Sequence, residues 1–269
     1  VQLKLGKKPA SYDRRDLLFT DFRKGGAQEQ YTPAAVGFAV DRTQNFPWGI
    51  MGNGPEDDNS LPTDWSAAKG GAGDCTCADS VHRVMYANHL AGTVVNMTSK
   101  QAIDLYIAIA GYDPTTGAND NGADMRNVLN YCYTTGVTDA DGNVHKIGGF
   151  CALQAGDWTQ MLEALEVFDV VSIGIEFPQS AMDQFNAGQP WTYVASSPIE
   201  GGHDIMIATR PGDNLVDVVT WAKLQGMTQE FYAKMCDEAF GVFLPESMTA
   251  GKSPEGFDMD QFKTALASL

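Results

Sequence analysis

Between residues 76 and 90 apolar positions recur at three- and four-residue steps, with Ala78, Val81, Val84 and Met85 on one stripe. That spacing predicts an amphipathic helix. A second helix is predicted over residues 99–110, where Ile103, Leu105, Tyr106 and Ile109 are apolar and Thr98 or Ser99 is placed to cap the N-terminus. Residues 125–134 and 158–167 continue the helical pattern. The period then changes. Val170-Val171-Ser172-Ile173-Gly174-Ile175 reads as a strand covered on at least one face. After a Pro/Ser/Gly-containing segment comes Ile205-Met206-Ile207-Ala208, a second strand headed by His203. The turn Arg210-Pro211-Gly212-Asp213-Asn214 follows, and then a return strand over residues 215–221. A helix-rich first half and a strand-rich second half predict an α+β fold, with an N-terminal helical half and a C-terminal antiparallel sheet half.

The two ends differ from this middle. Residues 1–60 are rich in Gly, Pro and charge, with a loop at residues 51–59, and read as an N-terminal extension or docking arm. Residues 61–248 form the main domain. Residues 249–269 form a tail with one amphipathic helix carrying Phe257, Phe262 and Leu266. A chain of 269 residues with 43% hydrophobic residues is long enough for a substantial core. Its net charge of −16, with only 18 Lys and Arg, argues against a nucleic-acid surface. The acidity fits solubility or a basic partner better. No apolar run approaches the ~20 residues of a membrane span, and the basic stretch at residues 1–8 is followed by no apolar signal region.

The chemistry concentrates in two short stretches. Gly73-Asp74-Cys75-Thr76-Cys77 places a cysteine where a turn feeds a helix, and Gly201-Gly202-His203 places a histidine at the head of a strand. A thiol at a helix N-terminus is biased toward thiolate by the helix dipole, and a histidine beside it can accept its proton. Such a pair, distant in sequence, is the pattern of a cysteine nucleophile with Cys75 attacking and His203 as base. Cys77, inside the first turn, reads as packing. His82 lies seven residues after Cys75, about 10 Å along the axis at ~1.5 Å per residue, so it and His89 read as structural. Five cysteines, an odd number without zinc-ribbon spacing, point to reduced thiols and no structural metal. The acidic loop at residues 113–122 invites a calcium reading. It fails, because with Gly122 as the loop glycine the first ligand position falls on Gly117. No cofactor is implied.

The order of these features resembles the papain-like cysteine peptidases over residues 61–245. Leu61-Pro62-Thr63-Asp64-Trp65-Ser66 is similar to the opening of their mature domains, and Gly73-Asp74-Cys75-Thr76 stands where they carry Gly-Ser-Cys-Trp. Thr98-Ser99-Lys100-Gln101 resembles their Leu-Ser-Glu-Gln segment. Asn121-Gly122 resembles the stretch that walls the substrate cleft, and Thr220-Trp221 the Ser-Trp of Asn-Ser-Trp-Gly. The resemblance implies a papain-like domain over 61–248 with Cys75 and His203 catalytic and Asn121, Gly122 and Trp221 at the cleft wall. Two positions depart from the pattern. Lys69 stands where the family has the glutamine that steadies the oxyanion, and Val219 where it has the asparagine that orients the histidine. Lys69 is the replacement candidate for the oxyanion, and Asp217, Thr220 or Gln225 for the orienting role. The short motifs also resemble papain-like proteins encoded by phages and prophages.

Two functions follow. The first is a cysteine hydrolase acting on peptide or amide bonds, with a peptide or a peptidoglycan cross-link as substrate. The second is a non-catalytic papain-like scaffold, a minor capsid or tail-associated virion protein whose partners are other virion proteins. A phage-encoded protein of either kind would sit in the host cytoplasm or the virion. Neither reading involves nucleic acid or membrane.

Overall fold

The computed structural model describes residues 4–23, 71–221, 223–246 and 258–268. After a short 3-10 turn, Phe19–Phe22, three helices come first: α1 (Cys75–Leu90), α2 (Ser99–Ala110) and α3 (Met125–Thr134). A small hairpin, β1 (Val137–Thr138) with β2 (Val144–His145), leads to β3 (Gly149–Leu153), α4 (Trp158–Phe168), β4 (Val171–Pro178) and α5 (Gln179–Asn186). Then come β5 (Ile199–Gly212), β6 (Leu215–Thr220), β7 (Lys223–Thr228), α6 (Gln229–Met235), β8 (Cys236–Phe243) and α7 (Met259–Leu266). Six strands form one antiparallel sheet in the order β3-β8-β4-β5-β6-β7. The architecture is α+β, helices first and antiparallel sheet second.

The sheet is covered on both faces, which its period-two alternation requires. Ile205 and Ile207 of β5, Val216 and Val218 of β6 and the odd-numbered apolar residues of β4 enter one apolar cluster with α4, α5 and α6. Met206, Ala208, Val219, Phe240 and Val242 face the other way, into a cluster with α1, α2 and α3. Because α1 packs between the sheet and the other two helices, its residues from Cys75 through Asn88 are all buried. A helix buried all round carries few charges unless they are paired. Here Arg83 donates to Asp79 at 2.7 Å and to Ser80 at 2.6 Å, and also to Ser172 of β4.

Helix ends follow local rules. Thr98 and Gln101 form a reciprocal capping box at the start of α2. Asp124, Asp157 and Asp258 cap α3, α4 and α7 through their side chains. The segment after β4, read from sequence only as Pro/Ser/Gly-containing, contains α5, whose Ala181, Met182 and Phe185 are buried. The tail helix α7 docks through Phe262, which meets the rings of Phe22 and Phe168. The part of the arm at residues 24–60, the opening motif at 61–66 and Lys69 lie outside the described residues.

Candidate active site

Cys75 is the first residue of α1, and the tight turn before it is held from the far side of the cleft. Asp120 accepts the Gly73 N–H at 2.8 Å and the Tyr106 hydroxyl at 3.0 Å, while Tyr106 accepts the Gly122 N–H at 2.8 Å. Two loops distant in sequence are thereby fixed to one another. Sequence reasoning missed the roles of Asp120 and Tyr106; of the acidic loop it singled out Asn121 and Gly122 for the cleft wall and otherwise read a failed calcium site.

His203 enters from β5. Its Nε2 lies 2.7 Å from the Thr220 hydroxyl, and its ring stacks on Trp221 with centroids 4.4 Å apart and an 11° tilt. Phe177 meets the ring edge-on at 5.5 Å. Trp221 holds a positive φ of 42°, an unfavourable backbone for a bulky residue, and this turns its indole onto the histidine. With Nε2 engaged by Thr220, the buried Nδ1 has no hydrogen-bond partner among the described residues.

Cys75, His203, Asp204, Val219 and Thr220 line one cavity of about 10 Å³ together with Ala78, Asp79 and His82. That is room for roughly a single water. Residues 75, 78, 79 and 82 share a helix face, so His82, two turns from Cys75, lines the same cavity. Burial, with Arg83 nearby, lowers its pKa to about 3. His89 is exposed. Of the other candidates for orienting His203, Asp217 accepts from the Thr209 hydroxyl at 2.9 Å, and Gln225 donates to the carbonyls of Gln189 and Gly226.

The electrostatics differ from the sequence expectation. Burial, followed by the charge of Asp204, pushes the Cys75 thiol well up, although the N–H groups of Asp204 and Gly6 both point at the sulfur. Burial lowers His203 to about 3. In this state the pair is neutral thiol and neutral imidazole, because the helix dipole is outweighed by loss of water.

The water is kept out by the chain itself. Residues 4–8 run across Cys75 as an extended strap. Lys7 N–H donates to Gly202 O at 3.0 Å, Lys8 N–H to Ala123 O at 2.9 Å, and Gly6 O accepts from Ala123 N–H at 2.8 Å. The strap is thus paired on both sides, antiparallel to Gly202 and parallel to Ala123. Three glycines of the body make the slot. A Cβ at Gly122 would lie 2.1 Å from Gly6 O, one at Gly202 2.5 Å from Lys7 O, and one at Gly73 3.0 Å from Leu5 O. Gly122 therefore stands under the strap, and Asn121 beside it is exposed. The strap needs its own glycine too, since a Cβ on Gly6 would sit 1.7 Å from Gly73 O. What faces the sulfur is the Gly6 N–H, while the Gly6 carbonyl is held by Ala123.

Among the described residues no cluster of side chains could hold a metal ion, and no helix is long and apolar enough to cross a membrane. No family model and no curated protein matches the sequence. Solved structures do. Xylellain, a cysteine protease from Xylella fastidiosa, is 13% identical with a TM-score of 0.56, over 91% of this chain and 98% of its own. Digestive procathepsin L 3 of Tenebrio molitor is 13% identical with a TM-score of 0.50, over 73% and 77%. The Carica candamarcensis cysteine protease CMS1MS2, in complex with E-64, is 12% identical with a TM-score of 0.50, over 65% and 90%. At such identities the likeness establishes the fold and nothing finer.

Proposed function

We propose that this chain, which has the papain-like cysteine-protease fold, is a cysteine hydrolase of peptide or amide bonds held closed by its own N-terminal segment. The observation that carries the reading is that His203 and Cys75 line one cavity, with the buried Nδ1 of His203 lacking a hydrogen-bond partner among the described residues and its Nε2 fixed by Thr220. A neutral imidazole that donates from Nε2 presents a lone pair at Nδ1, the form needed to take a thiol proton.

Once the strap leaves, water and substrate reach the thiol. His203 takes the proton, and the Cys75 thiolate attacks the carbonyl carbon of a peptide or peptidoglycan cross-link. The oxyanion that forms is received by the Cys75 N–H and by Lys69. The imidazolium returns its proton to the leaving amine, and the thioester is then hydrolysed by water with His203 again as base. Thr220 takes the part for which the resemblance expects an asparagine, and Asn121, Gly122 and Trp221 line the cleft.

One observation favours the second reading, a non-catalytic scaffold in a phage particle. Val219, apolar where the resemblance places an asparagine, lines the cavity beside Cys75. The experiment that separates the two is turnover of internally quenched peptides and of cross-linked muropeptides by a Gly6→Ala chain, whose strap cannot seat against Gly73 O, and by the same chain carrying Cys75→Ala, His203→Ala or Cys77→Ala. The hydrolase reading expects the opened chain to turn over, the added Cys75→Ala or His203→Ala to abolish it with the fold intact, and the added Cys77→Ala to keep it. An opened chain that loses nothing on Cys75→Ala would remove the reading.

A further inference from the structure

The strap is anchored by one side chain, and the pocket that holds it is built for a cation. The Lys7 side chain is wholly buried. Its ammonium donates to Asp237 at 2.8 Å and to the Lys8 carbonyl at 3.0 Å, and stands 3.1 Å from Glu238. The stem lies over Gly174 of β4, where a Cβ would fall 2.0 Å from Lys7 Cε. Directly opposite Gly174 in the sheet stand Asp204 on β5 and Glu238 on β8. The row Asp204-Gly174-Glu238 is therefore a notch with a carboxyl on each side and no side chain in the middle. Glu238 is 7% exposed. Burial opposes the charge on Lys7, but Glu238 and Asp237 outweigh it and its pKa stands above the ordinary value.

A closed core has no use for such a notch. Two acids and a buried lysine are commonly no more stable than apolar residues of the same volume, whereas a site that must exchange one occupant for another needs polar recognition. The notch also opens onto the slot that Gly122 and Gly202 provide for an extended backbone, next to Cys75.

We infer that the notch formed by Gly174, Asp237 and Glu238 is a specificity subsite of the cleft, selecting extended peptides that carry a lysine or arginine beside the residue lying over Cys75. Lys7 occupies it in the closed chain as a stand-in for that substrate residue. The inference rests on the hydrolase reading for its biological meaning. Its physical content is binding.

The test uses the full chain with Gly6→Ala, which unseats the strap through the clash with Gly73 O, and a labelled synthetic peptide of residues 1–12 with Gly6 retained. Peptides with lysine, arginine, norleucine or glutamate at position 7 are compared by fluorescence anisotropy. The lysine and arginine peptides should bind about ten- to a hundredfold more tightly than the norleucine peptide, as expected for a charge-assisted contact out of water. Adding Glu238→Gln or Gly174→Ala should erase most of that gap. If the Gly6→Ala chain does not fold, Lys7→Glu, whose carboxylate Asp237 and Glu238 repel from the notch, takes its place. Equal binding of lysine and norleucine peptides overturns the inference, and so does no binding of any, because an emptied notch must accept its former occupant. The readout needs no turnover. A chain that binds lysine selectively but never cleaves would sink the hydrolase reading alone, and one that cleaves without basic preference would sink the subsite alone.

Discussion

His203 and Lys7 are both cut off from water in the same cleft, yet one is held neutral and the other charged. His203 has a hydroxyl at Nε2 and an aromatic box around it, and burial alone takes its pKa to about 3. Lys7 has two carboxylates and a carbonyl within hydrogen-bonding reach, and keeps its proton. Burial by itself discharges a group; burial among matched partners preserves the charge. The two sites are linked, because the segment that carries Lys7 into its notch is the segment that dries Cys75 and His203. On the proposed reading, the neutral state of Cys75 and His203 belongs to the closed chain and not to the residues.

Breaking the linkage at the backbone has the largest expected effect. Gly6→Ala places a methyl where Gly73 O already lies, so the strap cannot seat. Alkylation of Cys75 by iodoacetamide at pH 7, followed by peptide mass mapping, should speed up by several orders of magnitude, because thiol opening no longer limits it. Breaking it at the anchor comes next. Lys7→Met leaves Glu238 buried without its cation, and the cost falls below that of a fully buried pair because Asp237 keeps some water contact, roughly 2–3 kcal/mol. Cys75 alkylation should rise about thirty- to a hundredfold in the same assay. Glu238→Gln should restore part of the protection.

A smaller effect belongs to the histidine alone. Thr220→Val removes the Nε2 partner without changing shape, and turnover in the opened chain should drop ~10- to 100-fold, less than loss of a carboxylate would cost. Thr220→Ser should recover most of it, since the hydroxyl and not the methyl does the orienting. Taken per pH unit, the smallest effect is in stability. Unfolded His203 titrates near 6.5 and the native ring near 3. As pH falls from about 6.5 the unfolded chain binds a proton that the native chain refuses, so stability is lost. Against His203→Phe, wild-type stability in urea should fall by up to ~1.4 kcal/mol per pH unit across that window. The buried carboxyls, Asp79, Asp204 and Glu238, have raised values and slope the other way, but they are common to both chains and cancel in the comparison.

Much of the scaffold was legible because its signals are local. Helix spacing from Ala78 to Met85, a cap at Thr98 or Ser99 and the apolar runs at 170–175 and 205–208 each depend on near neighbours. Strands β3, β7 and β8 were not read, since Lys223-Leu224-Gln225-Gly226 carries no clean alternation and its place in the sheet is set by β6. Cys75 and His203 stood out by residue type and position. Their state did not, because it depends on Gly6 and Lys7, two unremarkable residues in a charged, glycine-containing terminus. Nothing local distinguishes a glycine that must approach Gly73 O from one in a loose tail, or a lysine bound for a sheet notch from one in solvent. The same limit hid His82. Its distance along the helix from Cys75 was read correctly, but the cavity runs along that helix face and reaches it.

The measurement that bears most directly on the account is the pH dependence of Cys75 alkylation in three full-length chains: wild type, Gly6→Ala, and Gly6→Ala with His203→Ala. The account predicts a wild-type thiol that stays inert well past the ordinary midpoint of ~8.5, a Gly6→Ala thiol whose midpoint falls below that value, and a return toward it when His203 is also removed. A Gly6→Ala chain that folds, binds its own N-terminal peptide and still shows an unshifted midpoint insensitive to His203 would contradict it, leaving a papain-like fold whose cysteine and histidine share a cavity without chemistry.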